Sequence, residues 1–145
     1  MKMLRLTFLV LVFSFTLQAD TPYILTGIKN AYPVVEIHND YVPKKYKTLL
    51  LEKLKVKMQE LGIDSKGYSQ RSLALLITGV PIGDQSVHMR LLIGEEVKRT
   101  DGTEVFATTY ENEKIFEIFN VDEDIKENVD DLLEAFVKQY KEDNE

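Results

Sequence analysis

The chain has 145 residues, with 18 lysines and arginines against 24 aspartates and glutamates, a formal net charge of −6. An acidic chain is repelled by nucleic acid and by anionic lipid headgroups, which argues against both as partners. It contains no cysteine, which excludes disulfide staples, thiol nucleophiles and zinc–thiolate sites.

Lys2 and Arg5 precede an apolar run from Leu6 to Leu17, and Gln18-Ala19-Asp20 breaks it with a small residue and a charge. This is the layout of a secretory signal peptide over residues 1–19, and the run is short for a bilayer span. Leu17 stands where signal peptidase usually finds a small residue, so an uncleaved membrane tether is the alternative. A lipoprotein anchor is not available without a cysteine at the junction. Cleavage after Ala19 removes two basic residues and no acid, leaving 16 against 24, a net of −8 on 126 residues. That length suits one domain with a modest core. An exported chain without cysteines or N-x-S/T sequons fits a bacterial periplasm, with no membrane insertion after cleavage.

Residues 20–33 hold two prolines and a glycine and read as an extended lead-in, with Tyr23-Ile24-Leu25 able to dock on the domain that occupies 34–145. Val34 to His38 is a short β-branched run stopped by Asn39-Asp40, the pattern of a first strand. Pro43 to Leu61 is a helix opened by proline and closed by Gly62. At about 100° per residue, Tyr46, Leu50, Leu51, Leu54, Met58 and Leu61 fall within about 140° of arc. Leu49 and Val56 lie off that face, which predicts cover on more than one side. Six lysines (44, 45, 47, 53, 55 and 57) scatter around the helix and so favour a solvated surface over a basic patch.

Leu73 to Val80 is apolar on both alternating faces, as in a central strand covered on both sides. Pro81 to Gln85 is a turn. Val87, Met89, Leu91 and Ile93 then alternate with His88 and Arg90, and the pattern breaks at Gly94-Glu95-Glu96, where a β-bulge is expected. Asp101-Gly102 is a hairpin turn, and Thr103 to Glu111 returns as a strand. Ile115 to Phe119 either extends that strand or plugs the core. Asp122 reads as a helix cap, followed by Ile125, Val129, Leu132, Leu133, Phe136, Val137 and Tyr140 on one face and acidic residues on the other.

The order is strand, helix, strand, strand, strand, helix. It predicts an α+β fold, a four-stranded, mainly antiparallel sheet with two helices packed on it. The apolar strand LALLITGV ending in Thr78-Gly79, and the strand pair KRTDGTEVF joined near Asp101-Gly102, carry a resemblance over residues 34–142. They resemble the bacterial envelope accessory module found in the amino-terminal domain of the Tol–Pal protein TolB and in the penicillin-binding-protein activator LpoB. The resemblance implies binding of an envelope protein without catalysis. It supplies no site residue, and the chain has neither the lipoprotein cysteine nor an attached propeller.

The chemistry-bearing motifs are few. There is no G-x-G-x-x-G, no Walker loop and no G-x-S-x-G elbow, and neither His38 nor His88 has a local sequence that suggests an activated serine. Glu36, His38 and Asp40, with His88, form the best metal constellation, weighed against ordinary polar surface at a strand end. Glu95 and Glu96 point to opposite sides of a strand and do not pair as acid and base. The expected function is therefore a non-catalytic interaction or accessory module of the envelope, without cofactor. The alternative is a small-ligand or divalent-metal binding protein. With two helices on one face of the sheet, the other face is free for a partner or for the lead-in. His88 and Arg90, with Phe106 and Tyr110 if the hairpin register allows, are the expected partner-binding residues, of the types enriched at hot spots.

Overall fold

A computed structural model describes residues 23–67, 69–81 and 85–145. The expected signal peptide, the first residues of the lead-in and the middle of the 81–85 turn lie outside them. Six elements follow in the expected order: β1 (Tyr32–His38), α1 (Tyr46–Glu60), β2 (Arg71–Gly79), β3 (Ser86–Lys98), β4 (Glu104–Glu117) and α2 (Val121–Asn144). They make an α+β fold around a four-stranded sheet in the order β1-β2-β3-β4. β1 and β2 are parallel, and β2-β3 and β3-β4 are antiparallel. The parallel pair needs a long connection, which α1 provides, whereas the antiparallel strands are joined by short turns.

Local chemistry explains the ends of α1. The Asn39 side chain accepts the Tyr41 and Val42 N–H groups at 2.7 and 3.2 Å, an Asx-type turn that stops β1. Pro43 to Lys45 form two successive three-residue turns (Tyr46 N to Pro43 O and Lys47 N to Lys44 O, both 3.0 Å), so the regular helix begins three residues after the expected proline. At the other end Gly62 has φ 71°. Its N–H reaches Gln59 O at 3.0 Å while Ile63 N–H reaches Met58 O at 2.8 Å. These two bonds are the Schellman closure, which needs a left-handed residue where glycine stands.

Tyr46, Leu50, Leu54 and Met58 are the buried residues of α1. Leu49 and Val56 are 61% and 52% exposed, so the expected cover on a second side of this helix is absent. Packing against one sheet face buries one stripe only. The lysines are largely paired: Lys47 with Glu36, Lys53 with Asp130, Lys55 with Glu52 and Lys57 with Glu60.

The cap of α2 is Asn120, two residues before the expected Asp122. Asn120 Oδ1 accepts from Asp122 N–H at 3.2 Å and lies 3.5 Å from that of Glu123, while Asp124 reaches back to the Phe119 and Asn120 N–H groups at 2.7 and 2.8 Å. The short Asn120 side chain, one residue outside the helix, folds onto the free N–H groups of the first turn, to which Asp122 itself belongs. Asp122, Glu123 and Asp124 complement the helix dipole. Ile125, Val129, Leu132, Leu133 and Phe136 enter the core as expected. Ile115 and Phe116 extend β4 to Glu117, and Ile118 is buried beyond it.

The core lies between the helices and one face of the sheet. Pro33 and Val35 of β1, Leu73, Leu75 and Ile77 of β2, and Val87, Met89, Leu91 and Ile93 of β3 supply that face. The lead-in completes it. Leu25, Ile28 and Ala31 are buried in the same cluster, and the backbone around them is tied to the end of α2. Leu25 N–H donates to Asp143 Oδ2 at 2.7 Å and Gly27 N–H to Asn144 Oδ1 at 2.9 Å. Tyr140 Oη donates to Ile28 O at 2.8 Å. Among the described residues no helix is long and apolar enough to cross a membrane.

Candidate interaction face

Among the described residues the second face of the sheet carries no helix. Alternation along each strand and the ladder registers place its side chains in four cross-strand rows. Tyr32, Ser72, Gly94 and Thr108 form the first, and Val34, Ala74, Leu92 and Glu111 the second. Glu36, Leu76, Arg90 and Glu113 form the third, and His38, Thr78, His88 and Ile115 the fourth. The middle is apolar, and charge and aromatic groups stand around it. Thus β2, expected to be covered on both faces, is packed by helices on one only.

The bulge decides which residues of β4 join this face. Ile93 pairs with Tyr110 and Gly94 with Thr108, so Thr109 stands opposite no residue of β3. The extra residue lies in β4, not in the Gly94-Glu96 stretch that signalled it. One extra residue inverts the alternation beyond it. Phe106 and Thr108 therefore point to the helix-free face, but Tyr110 turns to the core. Its ring is 2% exposed and lies 5.3 Å from Phe136 and 5.8 Å from Tyr23. Burial pushes its phenol up to about 12, against a smaller lowering by the Asn112 hydrogen bond. The expectation that Tyr110 binds a partner is overturned. The hairpin register places Phe106 on the helix-free face and Tyr110 on the core face.

The other three expected residues do share the face. His88 Nε2 lies 2.7 Å from Glu113 Oε2, and Arg90 Nη1 donates to Glu111 Oε1 at 3.2 Å. Each β3 base thus reaches the acid diagonal to it on β4, since the direct register partners are Ile115 and Glu113. Arg90 Nε is buried and has no hydrogen-bond partner among the described residues. Phe106 is 69% exposed, with its ring over Gly94: a Cβ added there would lie 2.6 Å from it. Glycine is thus the residue that lets the aromatic lie flat on the strand. Ile115 is 58% exposed at the opposite end, and no feature of the sequence marked it as a member of this face because it sits in the segment with two possible readings.

A third ion pair, Arg71 with Glu95, locks the bulge. Arg71 Nε and Nη2 reach Glu95 Oε2 at 2.6 and 2.5 Å, and Thr109 Oγ1 donates to Glu95 Oε1 at 2.6 Å. Beside it a groove of about 690 Å³ is lined by Tyr32, Gln70, Ser72, Glu96, Glu104 and Phe106, among others. Of the metal constellation, His38 comes within 3.9 Å of Glu36, but Glu36 is held by Lys47 and His88 by Glu113. Among the described residues no group of three or more histidines and carboxylates could hold a metal ion.

Neither a protein-family model nor a curated protein matches this chain in sequence.

Proposed function

We propose that this protein is an exported, non-catalytic interaction module of a bacterial cell envelope, and that the helix-free face of its sheet binds a partner protein. One observation carries the reading. An apolar centre (Val34, Ala74, Leu76 and Leu92) is bordered by exposed Phe106 and Ile115 and by ordered ion pairs, the anatomy of a surface that excludes water when covered. The lead-in, which was the competing cover for this face, packs on the helix side instead. The likeness to the TolB and LpoB module and the signal-like amino terminus support the envelope address.

The test compares capture from envelope extract by wild type and by Phe106→Ser/Ile115→Ser. Both side chains are exposed, so the variant should keep its denaturation midpoint within about 0.5 kcal/mol of wild type and lose the protein that wild type retains. Equal capture of that protein would place the binding surface elsewhere. A small-ligand reading has one observation in its favour, the groove between Tyr32 and Phe106. Its signature would be a low-molecular-weight species released on denaturing protein purified from its source.

A further inference from the structure

We propose that β4 is a strand-addition edge, taking an extended basic segment of the partner as a fifth strand. This rests on the interaction reading above and specifies how contact is made. Among the described residues the sheet ends at β4, whose 14 residues pair on one side, with β3. No other described strand pairs with the backbone groups along its other side, which are a template for another chain. The opposite edge is a poorer one: β1 has seven residues, includes Pro33, which has no N–H to donate, and lies against α1.

The chemistry of the edge selects its occupant. β4 carries Glu104, Glu111, Glu113 and Glu117 against a single base, Lys114, and that lysine is engaged by Asp131. The contact also places Asp131 of α2 beside the edge. Glu111 and Glu113 are held in place by Arg90 and His88, so their second oxygens are positioned for an incoming base without further ordering. On the helix-free face, Phe106 and Ile115 flank these acids with apolar contact points. A segment alternating lysine or arginine with apolar residues sets its bases beside Glu111 and Glu113 on the helix-free face, with their methylene stems along Phe106 and Ile115, and turns its apolar residues to the helix side.

A second copy of the chain fits less well. A two-fold antiparallel pairing centred on Glu111 or Glu113 sets each against itself, and one centred on Asn112 sets Glu111 against Glu113. Centring on Lys114 opposes the two lysines and places Glu111 against Glu117. Like charges directly opposite destabilise a strand pair.

Amide hydrogen exchange of the purified protein tests this with a synthetic peptide of about nine alternating lysine and valine residues, a typical strand length. The control replaces every lysine by glutamate. With the basic peptide, alternate amides of β4 should slow at least about tenfold, while the control leaves them unchanged. The variant E111Q/E113Q, checked for an unchanged circular dichroism spectrum, should bind the basic peptide several-fold more weakly. The proposal is overturned by β4 amides indifferent to the basic peptide at saturation, or by equal protection from the acidic one. It is equally overturned if β4 becomes protected on concentrating the protein alone, which would mean self-pairing. Should Phe106→Ser/Ile115→Ser lose its captured protein while the β4 amides ignore the peptide, the interaction reading survives and strand addition does not.

Discussion

The two faces of this sheet are made by the same strands, residue by residue in alternation, yet they are built for different purposes. Towards the helices β3 presents Val87, Met89, Leu91 and Ile93, all sealed; towards the open side it presents His88, Arg90, Leu92 and Gly94. The sealed face receives two helices and the lead-in, and its aromatic rings meet in a chain from Tyr23 through Tyr110 and Phe136 to Tyr140. On the open face His88 and Arg90 reach Glu113 and Glu111 in diagonal ion pairs, and Phe106 and Ile115 stay exposed. Stability is concentrated on one side, which leaves the other free to vary its side chains at little cost to folding.

Substitutions can break that contrast, and the largest effects belong to the sealed face. Phe136→Ala and Tyr110→Ala each remove a large ring from contact with the other, and each should cost about 3–5 kcal/mol in denaturant unfolding. For a domain holding about 5–15 kcal/mol that is a severe loss. If Tyr110→Ala keeps the wild-type midpoint, the inverted alternation at Thr109 is wrong.

The lead-in comes next. Leu25→Ala should cost about 2–5 kcal/mol, because Leu25 is fully buried and not a loose tail residue. Limited proteolysis near residues 23–28 should become faster in step with the loss. A neutral Leu25→Ala would show that the sealed face does not depend on this segment.

A smaller effect, about 1 kcal/mol, is expected for Asn120→Ala, which removes the acceptor at the start of α2. Asp122→Ala should cost less, and the reverse ranking would restore Asp122 as the cap. High pH offers a probe without mutation. The Tyr110 phenol is raised in the folded protein to about 12 by burial, above its unfolded value of about 10. The stabilisation is therefore complete below about pH 10 and is lost as pH rises towards about 12, where the unfolded chain binds fewer protons. Tyr110→Phe should flatten that part of the stability curve. Least of all should be felt at Arg90→Ala, about 0–1 kcal/mol, since its ion pair with Glu111 is partly solvated. A loss of several kcal/mol there would mean that the open face is also structural.

Much of this protein was legible in its sequence because the information is local. A period of two marks Val87 to Ile93, a period near 3.6 marks Tyr46 to Met58 and Ile125 to Phe136, and glycine and proline mark the stops. Those patterns determine element type and order and, for β3, which residues are buried. The Gly94 break even announced a bulge. What it did not announce was that the extra residue would be Thr109 on the partner strand, because a bulge is a property of two strands paired in register. That single residue moved Tyr110 from the open face to the core, while Phe106, on the near side of it, stayed outside. The docking of Leu25 and Ile28 was likewise decided by tertiary structure. Its hydrogen bonds join residues more than a hundred positions apart, to Asp143, Asn144 and Tyr140, and no periodicity in either segment encodes such a contact. Alternation alone therefore specified two sheet faces, and only the assembled register and the closing of the chain ends decided which residues each face would own.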